Sequence, residues 1–343
     1  MVKFFIGIFS FLVFISCASK KDASKVEASD LPVVHDRAAE MNRVLKSNRR
    51  KASGGQFTDS IHMWDLINYL ASDEMKGRET GSSEIEFAAE FIEKLFIQNG
   101  IGAFYPRYRD TLQNTKAIAY NMVGFLPGND PELRDEYLLI GAHYDHIGII
   151  NIVNGDAIAN GANDNASGTA TVLELARYFG KEKSNKRSLM FALFSAEEKG
   201  LLGSSHLAER LKKEGVKLYL MLNFEMTGVP MNTKDYLLYI TGFSKSNLAE
   251  VANAMLPDDP IGYLPAEKEF NLFQRSDNYP FHSVFQIPSH TFCTFDFNNY
   301  PHYHKTTDEP EELDYNHLSE VVNKMIPIVE GLTNNPDQKV KLK

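Results

Sequence analysis

Leu189-Met190-Phe191-Ala192-Leu193-Phe194-Ser195-Ala196-Glu197-Glu198-Lys199-Gly200 sets an unbroken apolar run directly against two adjacent acids. A short continuous apolar run fits a strand buried on both faces, and such burial belongs to a parallel sheet covered by helices. The pattern recurs on either side. Tyr137-Leu138-Leu139-Ile140 leads into Gly141-Ala142-His143-Tyr144-Asp145-His146-Ile147-Gly148, and Leu218-Tyr219-Leu220-Met221-Leu222-Asn223-Phe224 leads into Glu225-Met226-Thr227-Gly228. Further apolar runs at 119–123, 236–240 and 291–295 predict strands, and helix-like segments at 167–178, 200–211, 246–255 and 313–332 fall between or after them. Strand followed by helix, repeated, predicts an α/β fold: a mixed, largely parallel central sheet flanked by helices on both faces.

The composition, 43% hydrophobic and 24% charged with 23 Phe and 15 Tyr, is that of a packed globule. A net charge of -9 does not concentrate phosphate backbones, so nucleic acid is not an expected partner. The chain opens with Lys3 and an apolar run from Phe4 to Ile15 that is shorter than a bilayer span, which is the build of an export signal. Phe14-Ile15-Ser16-Cys17 resembles the lipobox of bacterial lipoproteins, where the cysteine is acylated; the alternatives are an ordinary cleaved signal or a membrane anchor. The expectation is a signal peptide over 1–16 and an exported protein held to a bacterial membrane, facing the periplasm or the surface, through lipidated Cys17. Only Cys293 then remains, which allows no internal disulfide. Its neighbours Phe292, Thr294 and Phe295 read as a buried strand, so it is expected to pack in the core. Residues 17–56 are polar and charged and read as a tether with a possible short helix over 37–45. The main globular domain is expected over 57–335, and 336–343 as a C-terminal tail.

Ligands of such sheets gather beyond the carboxyl ends of the strands. His143 ends one strand, with Asp145 two residues on as the kind of carboxylate that orients an imidazole. Asn160-Gly161-Ala162-Asn163-Asp164-Asn165-Ala166-Ser167-Gly168 precedes a helix; its small residues allow close backbone approach, and Asp164 is either a helix cap or a ligand. Adjacent Glu197 and Glu198 raise one another's pKa unless one binds a cation, leaving the other free as a general base; two solvated acids opening a helix are the alternative. Glu225 ends a third strand. Near the far end lies Tyr300-Pro301-His302-Tyr303-His304-Lys305-Thr306-Thr307-Asp308-Glu309, from which His304 is the expected ligand, with Asp308 positioning its loop. Together these supply imidazoles and carboxylates for two divalent ions, zinc first.

Over about 57–334 the chain resembles the zinc aminopeptidases of the M28 peptidase family. The resemblance is carried, in order, by Gly77-Arg78-Glu79-Thr80-Gly81-Ser82, Gly141-Ala142-His143-Tyr144-Asp145-His146, 161–168, Ser195-Ala196-Glu197-Glu198, Ser276-Asp277-Asn278-Tyr279-Pro280-Phe281 and Tyr303-His304. It implies an exopeptidase acting on peptides, with Asp164 shared by two zinc ions. His143 and Glu225 would complete one site, and Glu198 and His304 the other. Glu197 would be the general base, Asp145 would orient His143, and Tyr303 would donate to the developing oxyanion. The position of Glu225 is most often Asp in the family; the added methylene moves the carboxylate by about 1.5 Å and bears on how well the first zinc site is filled. A single-zinc glutaminyl cyclase-like enzyme and a lipid-anchored binding protein with decayed catalysis are the alternative readings.

Overall fold

The computed structural model describes residues 37–52, 55–232 and 234–343; the expected export segment and Cys17 lie outside the described residues. Helices α1 (Arg37–Ser47), α2 (Ser60–Leu70) and α3 (Ile85–Gln98) come first, followed by strands β1 (Gly102–Ala103), β2 (Arg109–Thr111), β3 (Tyr120–Leu126) and β4 (Glu136–His143). A hairpin of β5 (Ile149–Val153) and β6 (Asp156–Ile158) forms its own two-stranded sheet. Then come α4 (Gly168–Glu182), β7 (Ser188–Phe194), α5 (Leu202–Lys213), β8 (Lys217–Phe224), β9 (Leu238–Ile240) and α6 (Leu248–Asn253). The chain ends with β10 (Ile261–Gly262), α7 (Ala266–Glu269), α8 (Asn278–Phe285), β11 (Ser289–Cys293) and α9 (Tyr315–Asn334).

The main sheet runs β1-β3-β7-β4-β8-β11-β9-β10, with β2 also paired to β3. Its centre is parallel: β4 lies between β7 and β8, and β8 pairs with β11. Antiparallel pairings flank that centre, β3 against β7 on one side and β9 against β11 on the other. The predicted mixed, largely parallel sheet is the architecture observed.

Alternation along the central strands explains why their sequences are apolar throughout. In β4, Leu138 and Ile140 join the larger core shared with α3, α4 and α9, whereas Leu139 joins the core on the opposite face with Leu207 and Leu211 of α5 and Phe281 of α8. In β7, Leu189, Phe191 and Leu193 face the first core, and Met190, Ala192 and Phe194 the second. Each fully buried side chain of this kind contributes roughly 2 kcal/mol of transfer free energy, so a polar residue at any of these positions is excluded by either face. Helix starts follow the capping residues. The Asp59 carboxylate accepts the His62 N–H at 3.1 Å to open α2, and Asp314 accepts from Asn316 and His317 to open α9.

Two boundaries expected from the sequence are corrected. Residues 37–52 belong to the folded body and not to a tether: α1 packs on α2, buries Met41 and Val44, and is fastened by Arg43 to Asp65 at 2.7 Å and Arg50 to Asp59 at 2.6 Å. Met41 and Val44 are three apart on one face, which is enough to seat a short helix among charged residues. The 336–343 stretch likewise docks, with Val340 buried, its N–H donated to the Tyr219 hydroxyl at 2.9 Å, and Leu342 bridged to Ser246. Among the described residues no helix is long and apolar enough to cross a membrane.

Candidate metal centre

The carboxyl ends of β4, β7 and β8 bring His143, Glu197 with Glu198, and Glu225 to one rim, and the 160–168 segment crosses that rim before α4 begins. Asp164 sits at the centre. One of its oxygens, Oδ1, lies 3.3 Å from His143 Nε2; the other, Oδ2, lies 3.1 Å from His304 Nε2. His304 Nε2 is also 3.3 Å from Glu198 Oε2. Asp164 therefore presents one oxygen to each of two imidazoles, as a shared carboxylate would.

The loop carrying Asp164 is held by its neighbours. Asp308 accepts the N–H groups of Asn163 and Asp164 at 2.7 and 3.1 Å, and its own position is fixed by the Tyr300 hydroxyl at 2.6 Å. Asp308 thus positions the Asp164 loop, in addition to lying near His304 in sequence. Asn165 accepts from Gly168 and Met226 N–H and donates to the Phe224 carbonyl, and Asn163 accepts from Gly228 N–H. These bonds stitch the segment to the residues on both sides of Glu225. Gly161, at φ +63°, has no room for a Cβ, which would lie 2.4 Å from the Asp164 carbonyl and 2.6 Å from the His146 ring.

The motif around Thr80 serves the Glu197 loop. Thr80 Oγ1 donates to Asp145 Oδ2 at 2.8 Å and accepts the Ala196 N–H at 2.9 Å, while Asp145 Oδ1 accepts the Glu197 N–H at 3.3 Å. Asp145 was expected to orient His143 through its carboxylate. Instead His143 Nδ1 lies 3.1 Å from the Asp145 main-chain carbonyl, and the carboxylate oxygen is 3.7 Å away. The carboxylate is turned toward Thr80 and Glu197. Arg78 is wholly buried and donates to the carbonyls of Leu70, Tyr144, Asn160 and Gly161, so that one guanidinium joins the loop after β4 to the loop before α4.

His146 was not assigned as a ligand from the sequence, yet it is buried beside the cluster, with Nδ1 2.9 Å from Glu198 Oε1. His146, Asp164, Glu198 and His304 each offer a donor atom, all within 4.8 Å of one another. Glu225 lies on the His143 side and receives a short hydrogen bond from the Ser276 hydroxyl. Beside it, Asp277 is fully buried and neither of its carboxylate oxygens has a hydrogen-bond partner. The sequence signal for His146 was its position three residues after His143; for Asp277 it was the 276–281 motif alone.

The electrostatics favour a cation. Burial opposes charge on His143, yet Glu197 and Asp164 push its pKa well above the usual imidazole range. Burial likewise opposes charge on His304, but Asp164 and Glu198 raise it to about 10. Against the same opposition from burial, His143, His146 and His304 pull Asp164 far below ordinary carboxylates. His143 Nε2 is buried and makes no hydrogen bond, although an Asp164 oxygen is only 3.3 Å away. A nitrogen poised beside a carboxylate but misaligned for a hydrogen bond fits a shared cation, and imidazole with carboxylate is a donor set suited to zinc. Glu197 is driven well above the usual carboxyl range by burial and, after the opposing pull of His143, by Glu225, Asp277 and Glu198.

An open cleft adjoins the centre and is walled by Glu225, Met226, Leu272, Arg275, Cys293, Phe295, Phe297 and Tyr303 among others. The Tyr303 ring stacks on His304, with centroids 3.9 Å apart, and against Phe295 at 5.4 Å. Cys293 is buried in the wall of this cleft, where burial pushes its thiol up to about 12, so it is no nucleophile.

Comparison with known proteins agrees with this architecture. A probable leucine aminopeptidase of Trichophyton verrucosum (strain HKI 0517) is 26% identical over 274 residues, 75% of this chain. The chain spans 66% of that relative's own length, just under two thirds. LapB from Legionella pneumophila superposes with a TM-score of 0.66 at 20% identity, over 89% of this chain and 77% of LapB. Porphyromonas gingivalis glutaminyl cyclase gives 0.62 at 17% identity, over 80% and 99%. At such identities these two likenesses concern the fold, which does not separate peptidase from cyclase. The family model described as peptidase family M28 matches residues 121–329, more than half of the chain, and covers the strand ends of His143, Glu198 and Glu225, the Asp164 segment before α4 and the loop of His304, so the chain belongs to peptidase family M28.

Proposed function

We propose that the chain is a zinc-dependent exopeptidase of the aminopeptidase type, hydrolysing N-terminal residues from peptides. The observation that carries this reading is Asp164, which faces two imidazoles with its two oxygens at the rim where Glu197, an acid of raised pKa, follows β7. Family membership and the relative described as a probable leucine aminopeptidase support it. His143, Asp164 and Glu225 would hold one ion, and Asp164, Glu198 and His304 a second. Bound zinc supplies the charge that polarises a peptide carbonyl and eases deprotonation of water.

Glu197 takes the proton of the attacking water on its carboxylate and returns it to the leaving amine. A raised pKa suits the return step, and the backbone bonds of Ala196 and Glu197 to Thr80 and Asp145 keep the carboxylate from drifting. Burial and the surrounding carboxylates raise the Tyr303 pKa, so its hydroxyl stays a neutral donor for charge developing on the carbonyl oxygen. Glu225, shared between centre and cleft, is the group that would meet the substrate's free α-amino group, while the cleft receives the first side chain. Anchorage to a bacterial membrane through Cys17 is part of the same proposal and rests on the sequence of residues 4–17.

The test is hydrolysis of aminoacyl-anilides and of their N-acetylated counterparts, with a peptide bearing N-terminal Gln assayed in parallel. Cleavage of the free-amine substrates alone is expected. Glu197→Gln is expected to lower turnover by about 10²–10⁴-fold while zinc content stays near that of the parent. A loss under about tenfold would remove Glu197 from the proton transfers. Ammonia release from the Gln peptide without hydrolysis would overturn the peptidase reading in favour of a cyclase.

A further inference from the structure

The two sides of Asp164 are not equivalent. On one side stand His143 and Glu225. On the other stand Glu198 and His304, and with them His146. The His146 ring is fully buried and lies against Gly161, whose missing side chain makes room for it. Its Nε2 has no hydrogen-bond partner, so every polar contact of this ring is made through Nδ1. That atom lies 2.9 Å from Glu198 Oε1 and 3.7 Å from Asp164 Oδ2, and His304 Nε2 lies 3.1 and 3.3 Å from oxygens of the same two carboxylates.

Four donors arranged tetrahedrally around zinc at about 2.0 Å are separated from one another by about 3.3 Å. The four separations given above scatter about that edge length, with His146 and His304 facing different oxygens of Glu198, and one ligand atom from each of the four residues lies within 4.8 Å of the others. A histidine serving only to fill space would not turn its one engaged nitrogen into this gap, and one serving the fold would be expected to bond through both nitrogens when so deeply buried.

We infer that His146 is a metal ligand through Nδ1, completing a four-donor zinc site with Asp164, Glu198 and His304. That site is accordingly the tighter of the two and fills first, and the His143 side, with one protein donor fewer, fills second. The inference rests on Asp164 being shared by two ions and is independent of peptide hydrolysis. No oxidation or group transfer is involved.

The test begins with the full chain stripped of metal by a chelator and titrated with zinc against a chromophoric competitor. Two unequal steps are expected, and His146→Ala should weaken the tighter one by at least about a hundredfold while leaving the weaker one in place. An unchanged tighter step overturns the assignment. So does full rescue by His146→Gln, whose amide N–H can donate to Glu198 but whose side chain is a poor zinc ligand. Because the substitutions touch a buried ring, zinc-edge X-ray absorption on the unmutated chain with one equivalent of zinc provides a second reading. Two imidazoles per zinc are expected, and one imidazole sinks the proposal. Failure of the peptidase reading would appear separately, as normal zinc binding without cleavage of any peptide.

Discussion

Arg78→Lys is the most informative perturbation of the scaffold beneath the centre. The guanidinium is fully buried and spends its fork on four main-chain carbonyls: Nε on Tyr144 at 2.9 Å, Nη1 on Leu70 and on Asn160 at 2.7 Å, and Nη2 on Gly161 at 2.9 Å. Burial lowers its pKa to about 10, with Asp308 and Asp145 opposing, so it stays charged at neutral pH. Lysine keeps the charge but concentrates its donors on one atom, which cannot reach acceptors spread over the three nitrogens of the fork. If two of the four carbonyls are left unpaired, at roughly 1–3 kcal/mol each, the expected cost is about 2–6 kcal/mol, a large part of the ~5–15 kcal/mol that holds a typical domain. The assay is urea unfolding of parent and variant in excess chelator, followed by zinc titration of the folded fraction. Zinc affinity should fall with stability, because the two freed loops carry His146 and Asp164. A stability change under about 0.5 kcal/mol would refute the view that this side chain joins the loops, since that is the size of an ordinary surface substitution.

Two further outcomes follow from the same geometry. His290 is buried, donates Nδ1–H to the Thr241 carbonyl at 2.8 Å and sits 2.6 Å from Ser246 Oγ, and burial lowers its pKa to about 4. Its unfolded value is about 6.5, so the unfolded chain binds the extra proton between those limits. The stability it provides is complete above about pH 6.5 and is lost as pH falls toward 4, by about 3 kcal/mol. His290→Gln in chelator should remove that slope relative to the parent; parallel stability curves would contradict it. Glu225→Asp pulls the carboxylate back by about 1.5 Å and breaks its bond from Ser276, so the weaker zinc step should change while the tighter one does not, as read by the same competitive titration. A change confined to the tighter step would mean that Glu225 belongs to the other side of Asp164.

The strands that define the sheet were legible because both faces of β4, β7 and β8 are covered, which forces uninterrupted apolar runs into the sequence. The short strands β1, β2, β6 and β10, two or three residues each, carry too few positions for any periodicity to register. Helix α1 was read as part of a tether because its composition is charged; what seats it is Met41, Val44, the Arg43–Asp65 pair to α2 and, just past α1, the Arg50 pair to the capping Asp59, contacts that exist only once α2 is in place. In the site, His143, Asp164, Glu197, Glu198 and Glu225 stood out by following apolar strands or a Gly-rich turn. His146 did not, since its burial depends on Gly161 and its partner Glu198 is 52 residues away. Arg78 is similar: a lone arginine in a sequence has no sign of the carbonyls, up to 83 residues distant, that will enclose it. Whether Asp145 meets His143 by its side chain or its main chain is set by Thr80 and Glu197 and is invisible in the dipeptide spacing.

Strand β3 runs against β7, so the chain enters it at the rim where its parallel neighbours end. Asn121 therefore reaches the Ser195 N–H, at 3.3 Å, from the beginning of a strand and not from its finish. Extra residues inserted just before β3 would emerge at the same rim of the sheet as Glu197 and Glu198, whereas the same residues inserted after Leu126 would emerge at the opposite edge, away from the metal-ligand candidates.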